Sequence, residues 1–136
     1  MTWILPALVG AVFAALVAVF GKVGLQGIDT TLATTLRAII MAVFLVIVSF
    51  GLGKANLTLP SGRALLFITL SGIAGALSWL AMFSALKIGP APGVSAIDRT
   101  SVVFVLIFSL LFLGVQFSWK AVLGAALVVA GAILMI

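Results

Sequence analysis

Apolar residues run almost without interruption along this chain and fall into five long stretches, separated by short segments rich in glycine, proline and charged residues. About 20 apolar residues in a helix, each rising about 1.5 Å, are enough to cross a hydrocarbon core of about 30 Å. Each of the five stretches is about that long. The pattern therefore predicts an all-α polytopic membrane protein, a bundle of five transmembrane helices: Thr2–Gly21, Thr31–Leu52, Ala64–Leu86, Gly93–Leu113 and Ser118–Ile136.

The composition supports this fold class. The chain is 65% hydrophobic and 7% charged, with a mean hydropathy of +1.53, and a 14.0 kDa soluble fold has too little interior for so much apolar surface. The stretches are continuous rather than alternating, which argues against a membrane β-barrel. The first stretch is long for a secretory signal and lacks a basic residue before it, so we expect it to remain as a span. The connections leave no room for a soluble domain, and residues 1–136 are predicted to form one membrane domain.

The pI of about 11.1 suggests a protein that binds nucleic acid, but the distribution of its charges does not support that function. Seven cations are scattered singly, against only two acids, Asp29 and Asp98, and no basic patch of the kind that binds nucleic acid is present. The chain contains no Cys and no His, which excludes disulfides, thiolate metal sites and histidine-based catalysis. We therefore predict a protein that is not an enzyme, without metal or cofactor and without a nucleic-acid partner.

Local signals mark the helix ends. Asp29 or Thr30 is expected to cap the second helix, Ser61 the third and Ser118 the fifth, because short polar side chains satisfy the first free N–H groups of a helix. Gly114 is expected to end the fourth helix. An alternative register places the fourth span at residues 100–119 and leaves Asp98 and Arg99 outside the bilayer. A glycine C-cap and a serine N-cap both fall inside that alternative, so the first register is preferred.

The cations outside the spans only weakly specify orientation. With the N-terminus inside, Lys54, Arg63 and Lys120 face the cytoplasm, and Lys22 and Lys87 face out. One hypothesis is a monomer with its N-terminus inside and its C-terminus outside. The other is dual topology, in which the chain inserts both ways and pairs with an inverted copy.

Charged residues inside predicted spans indicate candidate sites, because a charge at mid-membrane costs about 2.5–3.5 kcal/mol and usually faces a cavity or the bundle interior. Arg37 lies roughly 10 Å into the second span, on the same face as Thr30, Thr34 and Met41. This polar face predicts a hydrated cavity. Snorkelling of Arg37 to the headgroups is the alternative, and the sequence leaves both open.

Asp98 and Arg99 lie about 8 Å into the fourth span. Asp98 is predicted to pair with Arg37 across helices or with neighbouring Arg99, as a structural ion pair. The alternatives are a substrate contact and a protonatable coupling group.

The third and fifth spans carry further candidates. Ser78 and Trp79 lie among small residues in the third span, where Trp79 either packs or lines a pocket. Gly124 and Gly131 form a thin stripe on the fifth helix, predicted to mediate dimerisation or else packing within the chain.

Several segments together resemble the EamA family of the drug/metabolite transporter superfamily, over essentially the whole chain. Their order and spacing carry the resemblance rather than any single motif. The segments are Gly21–Asp29, Ala33–Arg37, Ala76–Trp79, Ala85–Pro90, Asp98–Val102, and Phe112–Gly114 continuing through Gly124 to Gly131.

The resemblance implies an arrangement. Members of this family usually have ten helices, arranged as two inverted five-helix repeats around a central cavity, and this chain resembles one repeat. The first four helices of a half line the cavity, and the last helices contact each other, as in the related small multidrug resistance proteins. The implied dimer contacts are Gly124 and Gly131. The cavity candidates, from pattern and resemblance together, are Thr34, Arg37, Ser78, Trp79, Asp98 and Arg99.

The resemblance implies a small-metabolite transporter that works by alternating access as an antiparallel homodimer, or as a heterodimer with a second half-length chain. It would lie among the lipids of a bacterial plasma (inner) membrane. The chain departs from relatives in two places: Val115 follows Gly114 where an acid is frequent, and Thr2–Gly21 contains no acid. Proton-coupled export of drug cations is therefore not expected. The alternatives are a subunit of a lipid-linked sugar flippase and a membrane assembly protein without transport activity.

Overall fold

A computed structural model describes residues 2–54, 60–116 and 118–136, and regular structure in them is α-helical. The prediction of an all-helical chain is confirmed for these residues. The helices are α1 (Ile4–Gly24), α2 (Thr30–Gly51), α3 (Gly62–Ile88), α4 (Ala91–Arg99), α5 (Ser101–Phe112) and α6 (Trp119–Ile133).

Four segments of the described chain are long and apolar enough to cross a membrane: α1, α2, α3, and α4 with α5 taken together as Ala91–Phe112. The remaining helix of the described chain, α6, is also apolar but has only 15 residues, a length of about 22 Å. The five-span count is consistent with these helices. The prediction of a helix over Ser118–Ile136 was too long, because the N–H of Met135 bonds the carbonyl of Ala132 at 3.1 Å and tightens the last turn.

The fourth span is not the continuous helix that the sequence predicts, because it is interrupted at Thr100. The Thr100 N–H and hydroxyl both donate to the carbonyl of Ile97, at 2.9 and 2.7 Å. Two donors on the carbonyl three residues back replace the α-helical bond with a tighter turn. The helix bounds nevertheless fit the preferred register better than residues 100–119, since α5 ends at Phe112, before Gly114 at φ +60°.

The predicted caps of α2 and α3 are confirmed. The Asp29 carboxylate accepts hydrogen bonds from the N–H groups of Thr31 and Leu32, at 2.9 and 3.1 Å, and so caps α2. The Ser61 hydroxyl accepts from the N–H of Ala64 at 3.4 Å. Ser118 occupies the N-cap position of α6 without a side-chain cap bond.

Helices α1 and α3 run past their predicted ends. Lys22 and Lys87, expected in the connections, lie instead in the last turns of these helices. A cation is favourable there because the C-terminal carbonyls of a helix carry partial negative charge.

Contacts divide the chain into two units. The first contains residues 1–22 and 88–136, where α4 and α5 pack on α6 and the Lys22 ammonium donates to the Gly89 carbonyl at 2.9 Å. The second contains residues 23–87. There the Lys87 ammonium donates to the Ile28 carbonyl at 3.2 Å, and Leu25, Phe83 and Leu86 are buried.

Most large apolar side chains of the described residues point outward. Phe44, Leu127 and Phe112 are 62%, 74% and 80% exposed. Such a surface would aggregate in water but is what hydrocarbon tails require, since lipid is as apolar as leucine.

Candidate functional site

Arg37 and Trp79 meet in the second unit. The central carbon of the Arg37 guanidinium lies 3.5 Å from the centre of the Trp79 ring. A guanidinium standing on edge would bring a nitrogen, bonded at about 1.3 Å, well inside van der Waals contact with the ring. The group must therefore lie roughly flat on the indole, in a cation–π stack.

Phe83 packs against this stack, and Thr34 lies one turn from Arg37 on α2. Phe83, one turn after Trp79 on α3, packs edge-on against the indole with ring centres 5.7 Å apart and planes at 88°. The Phe83 ring centre is also 5.7 Å from the guanidinium carbon of Arg37. Thr34, one turn before Arg37 on α2, is buried, and its hydroxyl donates to the carbonyl of Thr30 at 2.7 Å.

Within the described residues of its own unit, no acid is paired with Arg37. The acid of this unit, Asp29, lies about 12 Å back along α2 and is engaged in capping. The backbone hydrogen bond from Leu32 is the largest effect on the pKa of Asp29; with the Thr31 bonds and the charge of Lys87 it outweighs desolvation and lowers that pKa. Within the described residues, no hydrogen-bond acceptor contacts the Arg37 guanidinium. A guanidinium carries five N–H donors, which are the groups that bind anions.

The structure brings Arg37 and Trp79 together with Thr34 nearby. Ser78 lies next to Trp79 in sequence but is exposed. The predicted pairing of Asp98 with Arg37 would join the two units and stays a prediction. Within the described residues, no group of three or more His, Cys, Asp or Glu could hold a metal ion.

Arg99 belongs to a separate groove in the first unit, where α1 and α4 face each other. The groove has a volume of about 400 Å³ and is lined mostly by alanines and other small apolar side chains, with Arg99 and Ser95 as its polar groups. Asp98, which does not line it, is half-buried. The groove is a second candidate surface for a ligand.

The glycine stripe of α6 faces away from the rest of its unit. Ala125 and Ala132 are buried, whereas Gly124 and Gly131, one residue earlier in each case, have open space where a β-carbon would stand. One residue corresponds to about 100° around a helix. In the described residues the stripe therefore makes no packing contact, and its role in dimerisation stays a prediction.

Sequence reasoning missed two contacts. Phe83 follows Trp79 at the i, i+4 spacing of helix neighbours, a signal available in the sequence. The bond from Lys22 to the Gly89 carbonyl has no such signal, because the two residues are distant in sequence.

Comparison with known proteins places these features in a family. The EamA-like transporter family matches residues 1–136, the whole chain. A Sinorhizobium protein described as an uncharacterized transporter in the cobO 3′ region is 41% identical over 136 residues, covering 98% of this chain and 96% of its own length. No solved structure matches the chain. These similarities and the apolar helices indicate an integral membrane protein and a transporter rather than an enzyme. The chain belongs to the EamA-like transporter family.

Proposed function

We propose that this protein carries a small metabolite across a bacterial plasma membrane by alternating access, as an inverted homodimer in which each chain is one functional domain. The observation that carries the proposal is the Arg37–Trp79 stack. It places a charge and an aromatic face together inside apolar spans, where ionisable side chains are costly and typically serve a substrate or ion path.

The open stripe on α6 supports the dimer. Gly124 and Gly131, seven residues apart, leave a shallow surface against which a second helix could approach closely. The buried residues of α6, Ala125 and Ala132, already hold the helix against its own unit. A second copy can therefore dock without displacing an internal contact.

The weak charge bias supports inversion. Three cations favour one orientation and two favour the other, so the difference is one positive charge. Reporters fused to the C-terminus, each active on one side of the membrane, test this proposal. We expect signal on both sides, and signal confined to one side would contradict the inverted homodimer and favour a second half-length partner.

Transport itself is tested by flux in liposomes that contain the purified chain. Arg37→Gln should abolish flux, while Arg63→Gln, which removes an exposed arginine at the start of α3, should retain it. If neither chain moves any metabolite, the protein is better described as an assembly protein.

Asp98→Asn separates the roles open to Asp98. Lost expression with full flux in the surviving protein supports a structural ion pair. Normal expression with lost flux supports a substrate contact or a coupling proton.

The groove between α1 and α4 favours one second candidate, a subunit of a lipid-linked sugar flippase. Its small apolar lining suits an acyl or isoprenoid chain, and Arg99 suits a phosphate. Translocation of a fluorescent polyprenyl-phosphate sugar in the same liposomes, lost in Arg99→Gln, would favour this function over metabolite transport.

A further inference from the structure

We propose that the Arg37–Trp79 stack recognises an oxyanion carried by the substrate, a carboxylate above all, and excludes organic cations. This inference rests on the proposed transport function and narrows its substrate class. Three observations on the second unit carry it: the geometry of the stack, the absence of a countercharge, and the occupied face of the indole.

The stack presents the guanidinium edge. Trp79 covers one face of Arg37 at 3.5 Å, and Phe83 stands close by at 5.7 Å. The five N–H donors of a guanidinium point outward in its own plane, so a flat stack leaves them free of the indole. The stack holds the guanidinium in one orientation. This lowers the entropy lost when a planar carboxylate binds it through two parallel hydrogen bonds.

The charge balance of the unit favours an anion. Residues 23–87 contain Arg37, Lys54, Arg63 and Lys87 against Asp29 alone, and Asp29 caps α2. A partly buried cation without an ion-pair partner in its own unit is stabilised by an anion that reaches it, because the surrounding side chains screen charge poorly. A carboxylate ligand would provide the missing countercharge.

The same geometry rejects cations. Proteins commonly bind quaternary and primary ammonium groups on the face of a tryptophan. Arg37 already occupies one face of Trp79 and repels a second positive charge. Arg37 is therefore a specificity-determining residue for the sign of the substrate's charge.

The test uses three ligands that share a cyclohexane ring and differ in charge: cyclohexanecarboxylate, cyclohexanol and cyclohexylammonium. Trp3 and Trp119 are 71% and 70% exposed, so Trp3→Phe/Trp119→Phe leaves Trp79 as the single indole and reports on the stack by fluorescence. The full chain is measured in phosphatidylcholine nanodiscs. We expect a saturable shift with the carboxylate and none with the cation. Arg37→Gln should weaken carboxylate binding about tenfold or more, and the matched control Arg63→Gln less than about twofold.

Each other outcome overturns the inference. Binding of cyclohexylammonium by the unsubstituted Arg37 chain, or carboxylate binding that survives in Arg37→Gln, removes the assigned role. Phosphatidylglycerol nanodiscs provide a lipid phosphate as the competing oxyanion. If that lipid alone produces the shift and the carboxylate adds nothing, Arg37 is a headgroup anchor.

Flux distinguishes this inference from the proposed function. Liposome flux of cations or neutral compounds without carboxylate flux would support the transport function and contradict the recognition of an anion. Carboxylate binding without flux of any compound would contradict the transport function and support the recognition site.

Discussion

The backbone carbonyl oxygen of Met135 lies 3.3 Å from the position that a β-carbon on Gly93 would occupy. Gly93 is buried in the first turn of α4. The chain just after α6 therefore rests directly on the first turn of α4, where a side chain would hold it off.

Gly93→Leu should destabilise the protein, by about 1–3 kcal/mol, because an added side chain must displace the Met135 backbone. Thermal unfolding in detergent, followed by circular dichroism, measures the effect. The matched control is Gly72→Leu, a helical glycine with no atom within 4 Å of its virtual β-carbon, and it should not lower the unfolding temperature. Equal losses for the two variants would show that the close approach has no energetic consequence.

Gly124→Leu and Gly131→Leu should weaken dimerisation and leave the unfolding temperature of the monomer nearly unchanged, since open space surrounds both positions within the chain. Because the chain has no native cysteine, Gly124→Cys tests proximity directly by disulfide formation in membranes. Cysteine placed at Gly72 is the control. Equally efficient crosslinking at positions 124 and 72 would contradict a specific dimer interface on α6.

Trp79→Leu should remove the cation–π stack, and a double-mutant cycle with Arg37→Gln isolates its contribution. We expect a coupling of about 0.5–2 kcal/mol in unfolding free energy. Trp79→Phe should retain part of the coupling because a smaller aromatic face remains. Additive effects of the two substitutions would mean that the stack does not stabilise the fold.

Stability should fall in acid through Asp29. Its pKa is lowered in the folded protein by the N–H of Leu32 above all, so its contribution is fully present above the unfolded pKa of about 3.9 and is lost as the pH falls through the lower folded value. Asp29→Asn preserves a good cap without a charge and should flatten this acid dependence. Unfolding midpoints measured from pH 2 to 6 test it, and an identical acid slope in Asp29→Asn would assign the titration to another group.

The helix spans and their caps are readable from the sequence because their causes are local. Apolar length requires a spanning helix, and Asp29 and Ser61 satisfy N–H groups only two or three residues away. The break at Thr100 is also local, yet it was missed. A threonine hydroxyl in an apolar helix has several carbonyls within reach, and the pattern does not specify that it bonds Ile97.

The candidate site divides in the same way. Periodicity placed Thr34 and Arg37 on one face of α2, and left open whether Arg37 reaches the headgroups or the protein. The contact between Arg37 and Trp79 of α3 came only from the tertiary structure, because the two residues lie on different helices. The tertiary structure likewise placed Arg99 in a different unit and left Ser78 exposed.

The sequence by itself determined that this chain is a set of membrane-spanning helices, because hydrocarbon admits only long apolar segments whose backbone bonds are internal. It also determined the residues whose charge makes them costly there. Tertiary structure decided which of these residues meet, because a contact between distant positions depends on how helices pack and not on their spacing along the chain. The stacking of Arg37 on Trp79 and the open face at Gly124 and Gly131 are both of this kind.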